Sequence, residues 1–315
     1  MQQSQAFSSL KVCIVILNWQ GQKYLSESLP SIIEAINTFS GSCSIILLDN
    51  NEDDDSDRVW VREHFPSVQV IQAPRNDFLY SYNWLFEKLE EDVVILLNND
   101  VKVDPQFITP LIQHFRNSDV FAVSSRAYDW DGENLESGPH KIMCHRGWFY
   151  YLPDFDKQET SYTLFACGGY MAVDRKKFLD LGGFDYLFYP AYGEDLDLCY
   201  RAWLKGWQSI YEPESVVYHL KSASWDNTDN TGNSKYRYLN LKAAFLFQFK
   251  YLYSFPQSIF YGFYLCYLLT QKIIKNDSVW LSAFRDACFT SKGKNHPNLD
   301  LKKQKELHKI FAQCL

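Results

Sequence analysis

Three short stretches of this 315-residue chain carry side chains whose type and spacing suit chemistry. The first is "VVILLNND", where five apolar residues, Val93 to Leu97, run into Asn98, Asn99 and Asp100. The second is "GEDLDLCYR", where Glu194, Asp195 and Asp197 put three carboxylates into four positions behind Gly193. The third is "SVVYH", an apolar run that ends on His219. A carboxylate at the end of a buried strand can meet a hard divalent cation, which prefers oxygen ligands. A carboxylate within hydrogen-bond reach of a hydroxyl can act as a general base. Glu194 and Asp195 are the candidates for that role, because Asp197 has Arg201 four residues on and reads as one half of a helical ion pair. Carboxylates also suit a helix N-terminus, where the dipole favours negative charge, but that preference does not call for three of them. A lone histidine is more often packed and hydrogen-bonded than metal-bound, so His219 taken by itself favours a structural role.

The elements that must position these groups alternate between strand and helix. Val12–Leu17, Ser44–Asp49, Ser67–Gln72 and Val93–Leu97 are short apolar runs of the kind buried on both faces of a sheet. Leu25, Leu29, Ile32, Ile33 and Ile36 recur at helical spacing after the first run, and Phe78, Tyr82, Leu85, Phe86 and Leu89 after the third. Phe107, Ile108, Leu111, Ile112 and Phe115 do so after the fourth, with Asp104-Pro105 reading as the cap and first turn of that helix. "VFAVSS", from Val120, adds another strand. Residues 129–161 lack periodicity and read as a long surface excursion suited to holding an acceptor. Asp174 caps a short helix that stops at Gly182, and Glu194 opens one that ends near Gly206.

This alternation implies an α/β fold with a mostly parallel, Rossmann-like sheet and helices on both faces. Ligands of such sheets bind beyond the carboxyl ends of the strands. Those ends carry Asn18 and Trp19, Asp49 and Asn50, and Asn98, Asn99 and Asp100. That is more polar groups than capping requires, so the rim is expected to be a ligand site. Neither a GxGxxG nor a GxxxxGK[ST] loop is present, so a nucleotide's phosphates would instead be met by a metal held on carboxylates.

The net charge of -7 argues against a nucleic-acid partner, which would select a basic stripe. The acidic run Asp53, Asp54, Asp55 and Asp57 reads as a solvated loop. The eight cysteines show neither CxxC nor zinc spacing, which points to a reduced compartment without structural disulfides. The N-terminal residues lack the pattern of a signal peptide, and the expected location is the cytoplasm. Beyond residue 225 the chain turns aromatic and reads as two helices parted near Pro256. The second is apolar but shorter than the ~20 residues that span a bilayer. It can be an interfacial helix at the inner face of the membrane, a helix packed on the rest of the chain, or a homodimer contact. The last 21 residues before "AQCL" read as a basic, exposed helix.

Five stretches carry a resemblance: "VCIVILNWQGQKYLSESLPSI", "IILLDNN", "VVILLNNDVKVDPQFI", "FACGGYMAVDRKKFLDLGGFDYLFYPAYGEDLDLCYRAWLKGW" and "VVYHLKSAS". In this order, over residues 10 to 225, they resemble the family 2 inverting glycosyltransferases, and most closely the rhamnosyltransferase-like branch. The resemblance implies a GT-A catalytic domain over residues 1–225 and a C-terminal aromatic-rich helical region over 226–315. It implies a nucleotide-sugar donor (a UDP- or dTDP-sugar), a glycan or lipid-linked glycan acceptor, and Mg2+ or Mn2+. The family's DXD motif falls on Asn98-Asn99-Asp100, so Asp100 would be the metal's carboxylate, and His219 would complete the metal site. Asn18, Asp49, Asn83, Asn98 and Asn99 would frame the nucleotide, and Gly168 and Gly169 would turn beside the donor sugar. Asp195 of the pair Glu194-Asp195 would be the catalytic base. One departure stands out: in "APRNDFLYSYNW" the family's small residues are replaced by Phe78, Leu79, Tyr80 and Tyr82, so no role is carried over onto Arg75 or Asn76. The competing expectation is a non-catalytic module that binds a nucleotide sugar or a glycan on the same fold.

Overall fold

The computed structural model describes residues 10–145, 148–220, 230–251, 257–292 and 301–312. The apolar runs of the first half form the centre of one mixed sheet. β1 (Val12–Asn18), β2 (Cys43–Asp49), β3 (Gln69–Gln72) and β4 (Val93–Asn98) are parallel, in the spatial order β3-β2-β1-β4. Side chains alternate along each strand, so β1 feeds two cores. Ile14 and Ile16 pack with α1 (Gln22–Thr38), α2 (Ser56–His64) and, beyond them, α4 (Ile108–Ile112). Cys13 and Val15 face the other way, toward α3 (Ser81–Phe86) and α5 (Arg175–Asp180). Burying one such aliphatic side chain contributes about 1.5–3 kcal/mol, which is why runs polar on neither side settle in the middle of the sheet.

The sheet is less uniformly parallel than the alternating pattern suggested. β11 (Tyr170–Asp174) runs antiparallel between β4 and β6 (Val120–Asp129). β12 (Gln208–His219) lies parallel to β6 on its far side and pairs antiparallel with the short β5 (Val101–Val103) and β10 (Ser161–Tyr162). β7 (Leu135–Ser137) pairs with β6, and β8 (His140–His145) with β9 (Trp148–Pro153) forms a separate hairpin. Residues 129–161, expected to be an irregular excursion, are therefore largely strand. Their partners lie far off in sequence or across a tight connection, and local periodicity does not report such pairing.

Two helix signals were used differently from expectation. Asp104 does not cap a helix. Its Oδ1 accepts from Gln106 N at 2.8 Å in a turn, and α4 begins only at Ile108. Phe78 is not on the buried stripe of α3: it is exposed, with a positive φ of 52°, in a short 3-10 turn before that helix. The capped helix at Asp174 is present as α5, its Asp174 side chain accepting from Lys177 N at 3.0 Å. α6 (Glu194–Lys205) ends at Gly206, whose φ of 91° is a left-handed conformation that glycine adopts freely.

The C-terminal helices are α7 (Asn230–Tyr251), α8 (Gln257–Ile274), α9 (Ser278–Ser291) and α10 (Leu301–Ala312). The expected helix break near Pro256 and the boundary at 225/226 lie outside the described residues. α7 packs on α6, with the Tyr200 and Tyr251 rings 4.5 Å apart. Gln248 exchanges two hydrogen bonds with the Phe149 backbone in the hairpin, at 2.8 and 3.1 Å. α10, expected to be exposed, buries Leu307 and Phe311 and sets Gln304 Nε2 2.9 Å from the Tyr251 carbonyl, while its lysines face outward. Among the described residues no helix is long and apolar enough to cross a membrane.

Candidate active site

Parallel register brings the polar strand ends into one row. Asn18 lies opposite Asp49 on β2, and its neighbour Leu17 opposite Asn98 on β4. The Asn18 amide is shared three ways. Its Nδ2 donates to Asp49 Oδ1 at 2.9 Å and to Asp57 Oδ2 at 2.8 Å, and its Oδ1 accepts from Asn99 Nδ2 at 2.8 Å. Asp57 Oδ2 also accepts from Gly21 N at 2.7 Å. Arg58 Nη1 pairs with Asp49 Oδ2 at 2.5 Å and donates to the Asn51 carbonyl at 2.6 Å. Burial pushes the Asp49 carboxyl up, and the Asn18 and Arg58 hydrogen bonds offset part of that rise.

Asp57 and Arg58 correct the reading of the acidic run. Asp53, Asp54 and Asp55 are exposed, but Asp57 and Arg58 are buried in the first turn of α2 and hold the rim. The run reads as one solvated block because its composition is uniform. The signal that separates Asp57 is its place beside Arg58, in the first turn of a helix that packs back on the strand ends.

Gly21 makes this network possible. A Cβ at Gly21 would stand 1.9 Å from Asn99 Nδ2 and 2.3 Å from Asn18 Oδ1. Asn99 cannot swing away without breaking its bond to Asn18, which two carboxylates already pin. Gly21→Ala is therefore expected to lower stability by about 1–3 kcal/mol through overpacking. A thermal melt checks this; an unchanged midpoint would show that the amides have room to move.

The second cluster lies at the end of β4. Asp100 is buried, and its Oδ1 has no hydrogen-bond partner among the described residues. His219 Nε2 stands 3.8 Å from that oxygen, and His219 Nδ1 bonds Glu136 Oε2 at 3.0 Å. A ligating histidine commonly gives its other ring nitrogen to a carboxylate. Glu136, on β7, supplies that partner, and the stretch around it has no periodicity in sequence that marks a strand. An orphaned buried carboxylate oxygen facing an oriented imidazole fits a divalent cation whose other ligands come from a bound molecule. No group of three or more His, Cys, Asp or Glu forms a closed metal cage among the described residues. Burial holds the Asp100 carboxyl above the usual range, against the pull of His219.

The third cluster is the N-terminus of α6. Asp195 Oδ2 accepts from Gly168 N at 3.2 Å, and Oδ1 accepts from Leu196 N at 2.7 Å. Glu194 Oε2 is buried with no partner among the described residues. Burial, and then the charge of Asp195, push Glu194 up to about 8. Asp195 is raised too, by burial, but its two backbone N–H bonds favour the charged form. The backbone N–H bonds thus favour the charged form at Asp195, while Glu194, whose Oε2 has no partner among the described residues, is favoured neutral.

Gly168 and Gly169 join the second and third clusters. A Cβ on Gly168 would lie 3.6 Å from Asp195 Cβ, and one on Gly169 would lie 2.8 Å from Asn98 Nδ2. Asn98 N also donates to the Gly169 carbonyl at 2.9 Å. One dipeptide thus has the carboxylate pair on one side and the β4 end on the other. Asn83 does not join this group. Its amide donates to the Phe184 carbonyl at 2.9 Å and accepts from Phe184 N at 2.8 Å, so it clamps the backbone behind α5 rather than facing the rim. Non-glycine residues with positive φ flank the site at Gln20 (49°), Phe78 (52°) and Tyr192 (72°). Such strained conformations cost of order 1–3 kcal/mol each and cluster at functional sites.

The family model described as "Glycosyltransferase like family 2" matches residues 10–236. N-acetylgalactosaminyltransferase 6 of Drosophila melanogaster is 22% identical over 292 residues, which is 80% of this chain and 40% of that protein. A glucosyl-dolichyl phosphate glucuronosyltransferase of Haloferax volcanii is 25% identical over 188 residues, 56% of each. The chain spans between about a quarter and just over half of the length of the curated relatives it matches. Among solved structures, GalNAc-T7 with UDP, GalNAc and Mn2+ superposes with a TM-score of 0.57 at 17% identity, covering 75% of this chain and 47% of that one. A mannosyltransferase of Pyrobaculum calidifontis in complex with GDP-Man and Mn2+ superposes at 0.53 and 12% identity, covering 99% and 86%. These likenesses establish the GT-A fold.

Proposed function

The chain belongs to glycosyltransferase like family 2, and on that premise we propose that it is an inverting, metal-dependent glycosyltransferase. It moves a hexosyl or rhamnosyl group from a UDP- or dTDP-sugar to a hydroxyl of a glycan or lipid-linked glycan. The observation that carries this reading is the Gly168-Gly169 turn, with Asp195 beside one glycine and the Asn98–Asp100 strand end beside the other. A reacting sugar seated on that turn has a base on one side and a site for its diphosphate on the other.

Each residue then has a task. Asp100 and His219 would hold Mg2+ or Mn2+, which would supply charge neutralisation for the departing diphosphate. Asn18, Asp49, Asn98 and Asn99 shape the nucleotide side, with Asp57 and Arg58 fixing them from behind. Asp195 takes the proton of the acceptor hydroxyl as its oxygen bonds the anomeric carbon. The bond from that carbon to the diphosphate breaks in the same displacement, so the configuration inverts. Glu194 stays protonated and leaves Asp195 the single negative charge of the pair.

Thermal-shift measurements with UDP-, dTDP- and GDP-sugars test the donor, followed by assay of nucleoside diphosphate release. With Mn2+, the correct donor at 100 times its Kd should stabilise the chain by about 2.7 kcal/mol. EDTA and Asp100→Ala should each remove that gain. Glu136→Gln, which frees the His219 ring, should weaken metal affinity about 10–100-fold. Metal-dependent nucleotide binding without release or transfer from any donor would instead identify a non-catalytic binding module.

A further inference from the structure

α8 has one face inside the molecule and one with no partner among the described residues. On the inner face Tyr261 is buried, its ring stacked on Trp148 at 5.7 Å. The outer face carries Phe260, Phe263, Tyr267 and Ile274, spaced by three, four and seven residues so that they follow one line along the helix. Phe263 is 75% exposed and Ile274 73%. Every exposed residue between 259 and 274 is uncharged. Phe289 on the adjoining α9 is 69% exposed as well. Apolar residues scattered singly over a surface are ordinary, but a contiguous uncharged stripe marks an interaction site.

Charge is divided unevenly along the chain and indicates what the stripe meets. Residues 1–225 hold 18 Lys+Arg against 32 Asp+Glu, whereas residues 226–315 hold 13 against 6. The apolar face therefore belongs to the basic segment of an acidic chain, and that segment keeps an excess of cations although Arg237, Lys250, Lys272 and Arg285 pair with carboxylates. A second copy docked on this face by a two-fold axis would set the two cationic segments against each other. An anionic lipid surface complements both the charge and the apolar stripe.

We propose that α8 docks the protein on an anionic phospholipid bilayer. The helix lies in the headgroup plane, its outer rings reaching about 5–10 Å into the boundary with the acyl chains. The basic residues of the C-terminal segment add electrostatic attraction that salt weakens. This inference stands on the exposed face and the charge division, and does not depend on the proposed reaction.

Vesicle co-sedimentation of the full chain tests it. One set of vesicles contains phosphatidylglycerol and phosphatidylethanolamine, the other phosphatidylcholine alone. The chain should partition onto the anionic vesicles at least about tenfold more strongly. The double substitution Phe263→Glu and Ile274→Glu should lower that partition by at least about tenfold, with an unchanged circular dichroism spectrum because both side chains stand in solvent. Wild-type chain that stays in solution with both vesicles overturns the proposal without recourse to any variant. So does a double variant that sediments like the wild type. A lipid-free dimer in sedimentation velocity that the double substitution dissociates would assign the face to a second copy.

Discussion

The Asp195→Asn variant is expected to transfer sugar about 10²–10⁴-fold more slowly than the wild type and to keep its metal-dependent affinity for the donor. Asparagine retains the shape of the side chain and an oxygen for one of the two amides, Gly168 N or Leu196 N, which in the wild type bond separate Asp195 oxygens. It cannot accept the acceptor's proton. Donor affinity survives because the Asn18–Asp49–Asn99 network and the Asp100–His219 pair lie across the glycine turn and make no hydrogen bond to Asp195.

The pH profile separates the two carboxylates. Burial raises Asp195, so the wild-type rate should climb with pH through an acid limb placed above the ordinary carboxylate range. Asparagine removes that limb. Burial and the charge of Asp195 push Glu194 up to about 8, toward its neutral form, so Glu194→Gln, which fixes that form, should cost far less than Asp195→Asn. Steady-state rates from pH 5 to 9, beside a donor-binding titration, measure both effects. Turnover of Asp195→Asn within tenfold of wild type would remove Asp195 from the role of base.

Much of this site was legible because its residues sit at the ends of strands whose burial is written in continuous apolar runs. "VVILL" can settle only between covered faces, so its end had to present Asn98, Asn99 and Asp100 at the rim. The helix opened by Glu194 was equally plain, since Gly193 and Gly206 bracket it. Residues that act through distant partners were not legible. Glu136 matters because β7 pairs with β6 across the Asp131-Gly132 turn, and its side chain reaches His219 on β12, which flanks the other edge of β6. The β6 pairing is local, but nothing near Glu136 in sequence announces a partner 83 residues on. Asp57 hid in an acidic block that composition alone cannot divide. Asn83 matched its motif by position, yet the backbone of Phe184 uses both ends of its amide. The exposed Phe78 broke the helical stripe because its positive φ turns the ring away from the core.

The second large effect lies where the C-terminal helices meet α6. Asp197→Asn is expected to destabilise the protein by about 3–5 kcal/mol, the usual cost of breaking a buried ion pair from one side. Asp197 is fully buried and accepts from Arg201 Nε at 2.7 Å, Lys250 Nζ at 2.5 Å and Tyr251 Oη at 2.6 Å. Lys250 reaches Asp185 at 2.7 Å, and Arg201 also donates to the Leu181 and Gly183 carbonyls at 2.7 Å each. One carboxylate thus ties α7 to α6 and to the loop behind α5. Asparagine fits the space but leaves Lys250 and Arg201 with Asp185 as their one remaining carboxylate in this cluster. The neutral Lys250→Met removes the excess cation, so the double variant should recover part of the loss, with a coupling of about 0.5–3 kcal/mol. Denaturant melts of the four proteins close the cycle. Additive losses would mean that Lys250 and Asp197 act independently. A coupling of the expected size would mean that α7, outside the motifs that mark the family, helps hold the helix that presents Glu194 and Asp195.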